Sequence, residues 1–353
     1  MKLTIAITGM NARADNPGPG VAVMRCVREV YPDAHIVGLS YDALDPGLYL
    51  PLCNASYLIP YPSTGENALL RRIAQIQEYE HIDVLIPCLD AELLSFEHLQ
   101  SELQKMGIAM FLPTAAQLQM RDKGRLQELA QLADALYPET RVLSNTGFFY
   151  NCHLEGWHYP MVVKGPFYEA QVVYTPEEAT AAFSRIAAAW GLPILAQRLV
   201  VGEEFNLAAI GDGKGKMFGA VMMKKRATTD KGKAWAGISI DDEKLEAMAA
   251  SLIKELNWRG PLEVEVIRDQ KGDYHLIEIN PRFPAWIYLS AGLGRNLPAA
   301  LVNMILGKPL PNFPKAKPGT WFVRHAQEAI VPIGVFESMM IDGYYAPEEA
   351  PTH

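Results

Sequence analysis

Between residues 261 and 282 the chain reads PLEVEVIRDQKGDYHLIEINPR, two β-rich runs around the turn chemistry of DQKGD. This hairpin limits the fold more than any other segment. In its first run Glu263 and Glu265 alternate with Leu262, Val264 and Val266, so at a two-residue period both carboxylates share one face. The returning run ends LIEINPR, which puts Glu278 and Asn280 on one face and Arg282 just past the strand end. Glutamates are poor strand formers, and here they sit among strong ones. Such a hairpin gathers carboxylates and an amide on one surface. That hard-oxygen set suits Mg²⁺, which takes few carboxylates and completes its shell with substrate phosphates.

The segments before it support an antiparallel α+β unit. Residues 204–225 form another hairpin, with GDGKG as its turn, and residues 241–257 an amphipathic helix. Before these come a strand at 159–165, a helix at 175–190 with a Thr/Pro start, and a strand at 193–200. The first third follows a different rule. Apolar runs at 3–9, 35–42, 82–90 and 108–114 alternate with helical patterns at 20–31, 66–79 and 91–106, which predicts a parallel sheet with crossover helices. Binding groups of such a sheet collect at the carboxyl ends of its strands, here Gly9, Asn11, Asp42, Asp90 and Glu92. A helical stretch from Ala115 to about Leu136 joins the two patterns. Residues 308–319 hold four prolines and read as a linker or domain wrap, and the segment after Gly343 as a mobile tail.

Composition removes several classes. Lys and Arg number 32 against 40 Asp and Glu, so a net charge of −8 argues against a general nucleic-acid coat but leaves room for a local phosphate pocket. No apolar run approaches the ~20 residues that span a bilayer, and the amino terminus lacks a signal-peptide core. The four cysteines form no CxxC pair and read as reduced thiols of a cytoplasmic protein. HExxH, zinc-spaced Cys/His sets and GxxxxGK[ST] are absent. The loop ITGMNARADNPGPGVAVMR places Gly18 and Gly20 at a helix start, but without GxGxxG spacing a nicotinamide-binding reading is weak. Cations worth following are Lys164 at the end of an apolar strand, Lys123 in MRDKGRL, the run Lys224–Lys225–Arg226, and Arg324 beside His325. Arg295 and Asn296 are further candidates for holding a substrate carboxylate.

The order MRDK, YPMVVK, LAQRLVVGEE, PLEVEV, LIEINPRF resembles the ATP-grasp superfamily, most closely its carbamoyl-phosphate-synthase-type branch, over about residues 1–325. The resemblance implies an α/β plus α+β chain: a Rossmann-like pre-ATP-grasp domain at 1–114, an ATP-grasp domain with lobes at 115–195 and 196–325, and a tail at 326–353. It implies ATP and Mg²⁺ as cofactors. Lys123 and Lys164 would meet the nucleotide, Gln197, Arg198, Leu199 and Val200 would be the hinge reading adenine, and Glu204 would lie near the ribose. Glu265 and Glu278 would hold Mg²⁺ with Asn280, Glu263 being the weaker metal candidate. Arg282 and Lys224 would be the catalytic cations. The amino-terminal loop, with Asp90 and Glu92, would face the acceptor substrate. The activity implied is a carbon–nitrogen ligase: ATP phosphorylates a small-molecule or peptide carboxylate, and an amine attacks the acyl phosphate. Carboxyphosphate chemistry would call for a biotin or ammonia-supplying module, and the sequence shows none. A homodimer fits the class.

The chain departs from the family pattern in a small way at Gln197, where acidic residues are common, and more seriously at one loop. Lys164 is followed by KGPFYEAQVVYT, with Gly165 alone where a glycine-rich loop would cover the phosphates. Either 224–233 with its lysines serves as the lid, or the chain is a non-catalytic or weakly active nucleotide-binding module.

Overall fold

The computed structural model describes residues 2–120, 125–165 and 169–346. Strands β1 (Thr4–Ile7), β2 (His35–Ser40), β3 (Ala55–Leu58) and β4 (Val84–Ile86) form a parallel sheet in the order β3-β2-β1-β4. Its strands are buried on both faces, as crossover helices require. The run at 108–114 contributes only one parallel bridge, Ala109 to Val84, where a full strand is expected.

A second sheet is antiparallel: β5 (Thr140–Leu143), β6 (Met161–Lys164), β7 (Ala170–Val173) and β8 (Ile194–Arg198), in the order β5-β8-β6-β7. The helix Pro176–Trp190 packs on it through Ala179, Ala182, Phe183 and Ile186. Its start follows from local chemistry. Thr175 accepts from the Glu178 amide, Pro176 is preset for the first turn, and Glu177 and Glu178 meet the positive end of the helix dipole.

The third sheet, also antiparallel, contains β9 (Gly202–Asp212), β10 (Met217–Thr228), β11 (Ala234–Ile240), β12 (Arg259–Asp269), β13 (Tyr274–Asn280) and β14 (Trp321–Val323), ordered β13-β12-β9-β10-β11-β14. One face carries Phe205, Leu207, Met222, Val264 and Val266 and is covered by the helix Glu243–Leu256, capped by Asp242. On the opposite face Ala208, Ile210, Val221 and Met223 share a core with the helices Gly20–Val30 and Leu297–Ile305. The parallel-sheet unit therefore packs directly on the back of the third sheet.

Several segments differ from expectation. The stretch from Ala115 to Leu136 holds two short helices among its described residues, Ala115–Met120 and Leu126–Leu132. The second ends where Asp134 takes a positive φ and Leu136 O accepts from the Leu276 amide. Strand β11 reads poorly in the sequence because it is rich in small residues. Gly237 is one of them: a Cβ there would meet Met223 Sδ at 2.7 Å, so close packing selects against a side chain. The segment after Gly343 is not free over its described residues. A last strand, β15 (Tyr344–Tyr345), pairs antiparallel with β3 at the edge of the first sheet. Among the described residues no helix is long and apolar enough to cross a membrane. All four cysteines are free and buried, and burial pushes the Cys26 and Cys53 thiols up to about 12 and about 11, so neither supplies a ready thiolate.

Candidate active site

The β12–β13 register places Glu265 directly opposite Glu278 and Glu263 opposite Asn280. The four side chains leave the sheet on the face away from the helix Glu243–Leu256, as the alternation of PLEVEV and LIEIN requires. A bulge follows at Ile277, after which the ladder continues at Val266–Leu276. Ile277 is thereby turned into a neighbouring cleft.

Two cavities meet at this acidic row. One, about 300 Å³, lies between the second and third sheets and is bounded by Val162, Lys164, Leu199, Val200, Val266 and Ile277. The other, a polar cavity of about 170 Å³, lies between the third sheet, the amino-terminal loop and the segment after β13. Lys225 and Glu265 line both. The Lys225 side chain is 9% exposed, and its Nζ sits 2.9 Å from Glu204 Oε2 and 3.0 Å from Glu265 Oε2. Burial disfavours its charge, but the two carboxylates outweigh that and raise its pKa. Burial alone would likewise raise Glu265, yet Lys225 holds it down to about 2.

Glu263 has another task. It is buried, and its Oε1 accepts from Asn206 Nδ2 at 2.7 Å and Trp286 Nε1 at 2.6 Å. Its Oε2 accepts from Asn280 Nδ2 at 3.0 Å and faces Arg282 Nη1 at 3.5 Å. Burial, with Glu265 nearby, raises its pKa. Glu263 is the hub that orients the row. Asn280 also donates to Glu265 Oε1 at 2.9 Å, while its Oδ1 accepts from Arg282 Nη2 at 3.2 Å and keeps a second lone pair. Arg282 itself is buried and ion-paired to Asp90 Oδ2 at 2.8 Å, which ties the end of β13 to the loop after β4. Burial disfavours its charge, and Asp90 and Glu263 more than restore it.

The sequence-derived candidates divide accordingly. Lys164, Gln197, Arg198, Leu199, Val200 and Glu204 all line the cleft between the sheets. Gln197 is buried and donates to Thr140 Oγ1. The Arg198 guanidinium is held by Glu139 and stacks over Trp157. Lys123 lies outside the described residues. Glu265, Glu278, Asn280 and Arg282 come together at the β12–β13 hairpin.

Lys224 does not join them. It stands opposite Phe205 on the core face, with its ammonium on Glu203 and near the Phe205 ring, and Lys225 takes the place expected of it. Glu92 is a second correction. It lines neither of the two cavities, being fully buried and accepting from Thr8, Tyr41 and the amides of Cys88 and Leu89. Asn296 caps the helix Leu297–Ile305 and bonds Cys26 O, and Arg295 lies over Phe313, so neither lines the cavities. His325 is exposed. Of the run Lys224–Lys225–Arg226 the sequence reading assigned the wrong lysine to the site, and it missed Asn206 and Trp286. Glu169, in the loop after Lys164, is ion-paired to Arg185 at 2.5 Å.

Among the described residues no group of three His, Cys, Asp or Glu side chains is arranged to hold a metal ion. The opposed pair Glu265–Glu278 is a two-carboxylate donor set, which fits Mg²⁺ only when substrate phosphates supply further oxygens. Asn206 Oδ1 adds a buried oxygen on the polar cavity that lacks a hydrogen-bond partner.

Two antiparallel sheets facing each other across a cleft, backed by a parallel-sheet unit, define the ATP-grasp fold. Residues 192–328 match a family model described as ATP-grasp in the biosynthetic pathway with Ter operon. The structure is similar to biotin carboxylase from Campylobacter jejuni (TM-score 0.68, 18% identity, 90% of this chain and 74% of that one). It is also similar to the biotin carboxylase domain of the Hydrogenobacter thermophilus 2-oxoglutarate carboxylase, solved with MgADP and bicarbonate (TM-score 0.67, 16% identity, 91% and 73%). A third likeness is L-amino acid ligase from Bacillus licheniformis (TM-score 0.63, 17% identity, 86% and 74%). No curated protein sequence matches the chain. The chain has the ATP-grasp fold, an N-terminal α/β unit followed by two facing antiparallel sheets.

Proposed function

We propose that the chain is an ATP- and Mg²⁺-dependent carboxylate–amine ligase working through an acyl phosphate. The observation that carries this reading is the opposed pair Glu265–Glu278 at the seam of two cavities that share Lys225. The cleft between the sheets takes the nucleotide, with adenine against the Gln197–Val200 segment, Lys164 towards the phosphates and Glu204 beside the ribose. Glu265 and Glu278 hold Mg²⁺, with Asn280 contributing through Oδ1. The metal, when bound, offsets phosphate charge during transfer. Lys225 places a buried cation at the seam, where negative charge spreads over the transferring phosphoryl group. Arg282 meets the phosphorylated carboxylate from the polar side. The turn before β11 and the loop at 11–19 wall off water. They are joined by Lys231 Nζ and Asp15 Oδ2 at 2.6 Å, a contact that answers the missing glycine-rich loop.

The test is a thermal shift followed by phosphate release across pooled carboxylates and amines. MgATP at a hundredfold excess over its Kd should add about 2.7 kcal/mol of stability. Absence of any shift with MgATP or MgADP would remove the reading. A shift without phosphate release from any pool would favour the binding module that the glycine-poor loop suggests.

Two lysines give a sharper check. Lys225→Met should lower turnover by about a hundredfold, as loss of a preorganised charge at the reacting group does. Lys224→Met, on the far face, should stay within about twofold, since exposed pairs contribute little. Equal losses would contradict the assignment of faces.

Lys225 also controls the acid response. Glu265 has its folded pKa depressed to about 2 from 4.5, so its contribution to stability is present above about pH 4.5 and is lost as pH falls towards 2. In Lys225→Met the largest opposing charge is gone and only Lys233 and Arg282 offset burial, so the Glu265 pKa should rise and this acid-side loss should shrink. Urea midpoints at pH 5 and pH 3 for both proteins decide the matter, and an identical drop in the two would refute it.

A further inference from the structure

The polar cavity holds more positive charge than its own carboxylates use. Arg282 is taken up by Asp90, Glu263 and Asn280, and Lys225 by Glu204 and Glu265. Lys231 is paired with Asp15. Arg324 and Lys233 also line this cavity, and among the described residues neither makes an ion pair. Arg324 is half-buried, and burial lowers its pKa. Its Nη2 donates to Ala285 O at 3.1 Å and its Nε faces Ala234 O at 3.4 Å. These two carbonyls fix the guanidinium plane and leave Nη1 without a protein acceptor among the described residues. A half-buried guanidinium, oriented but unpaired, is set to receive a carboxylate from outside the chain.

The pair is rooted on the far side of the cavity from the transfer centre, although the Lys233 charge still reaches Glu265 and helps lower its pKa. Lys233 precedes β11 and Arg324 follows β14, whereas Glu265 and Glu278 lie on β12 and β13. Strands β9 and β10 intervene, so β12 and β11 stand three spacings apart, about 14 Å. Long side chains reach inward from both sides. One small anion does not bridge both ends, but a molecule with two anionic groups a few bonds apart does.

We propose that Arg324 and Lys233 form a subsite for a second carboxylate of the substrate, so that the carboxylate to be activated belongs to a di- or polycarboxylic acid. The proposal rests on the ligase reading for which carboxylate reacts, but the subsite can be tested without turnover. Calorimetry on the full chain, alone and with Mg²⁺ and a non-hydrolysable ATP analogue, would use paired probes: glutarate and glutaramate, L-glutamate and L-glutamine, succinate and succinamate. At least one diacid should bind about tenfold or more tighter than its monoamide. Arg324→Gln and Lys233→Gln should each erase most of that ratio, and Arg324→Lys should restore part of it. Lys233 lies in a surface turn, so its variant keeps the test available if Arg324→Gln misfolds. In a turnover assay the Arg324 effect should fall on the KM of the diacid, with the KM of ATP unchanged.

Equal binding of every diacid and its monoamide overturns the proposal. So does a preference that survives both variants, or a rise in the KM of ATP with the preference intact, which would assign these cations to the nucleotide phosphates. Diacid preference without any MgATP shift would remove the ligase reading and leave the subsite standing.

Discussion

A Glu278→Gln protein should lose Mg²⁺-dependent phosphate release by about a hundredfold or more while keeping its melting temperature within a few degrees. The half-buried Glu278 carboxylate stands opposite Glu265 on the cavity face, so removing its charge takes away half of the carboxylate pair proposed for the metal. The comparison that gives the result meaning is Glu263→Gln. Glu263 takes donors from Asn206, Trp286 and Asn280 and pairs with Arg282, so an amide there turns an NH₂ towards donors already in place. That variant should lose stability first, by about 1–3 kcal/mol. Phosphate release and urea unfolding measured on both proteins should separate the two glutamates. Full Mg²⁺-dependent activity in Glu278→Gln would defeat the metal assignment.

The second large effect concerns Arg282. Arg282→Leu leaves Asp90 and Glu263 without their shared buried cation, and Asn280 Oδ1 without that donor. Removing one partner from a buried ion pair costs about 3–5 kcal/mol, because the remaining charge stays desolvated. The first unfolding transition in urea should shift accordingly. Adding Asp90→Asn should recover part of the loss, since the double-mutant cycle then removes both charges of the contact. A single mutant as stable as the parent would show that this pair does not join the parallel-sheet unit to the third sheet.

The acidic row was readable because a two-residue period needs no tertiary information. Once PLEVEV and LIEINPR are strands of one hairpin, Glu265 and Glu278 share a face. The lysine run could not be resolved in the same way, since KKR carries no phase of its own. Its phase is set at Gly219, where the β9–β10 ladder shifts by one residue and the backbone takes a positive φ. Without that bulge Lys224 would stand opposite Glu204 on the cavity face. With it, Lys224 stands opposite Phe205 and Lys225 faces the site. Gly219 is required there because a Cβ would meet Leu297 at 2.6 Å and Phe313 at 2.9 Å, contacts made by residues about eighty and ninety positions away. Glu92 was misplaced for a related reason. Its place near a strand end was visible, but its ligands Thr8 and Tyr41 come from the other strands of the sheet. Strand β3 and helix Ile333–Asp342 were missed altogether, the first for its brevity and the second because it lies in a stretch read as tail.

The pairing of β15 with β3 has a consequence for synthesis. Leu58 N–H and an Arg72 nitrogen both donate to Gly343 O, and Tyr344 lies against the Tyr57 ring at 4.7 Å. The first sheet is therefore finished by residues some 285 positions further along. At about 5–20 residues per second, a ribosome takes roughly 15–60 seconds to cover that interval. For that time β3 presents an open strand edge, the feature through which nascent chains pair with one another. Shielding of that edge during synthesis, by a chaperone or by slow release of the segment, would limit such pairing.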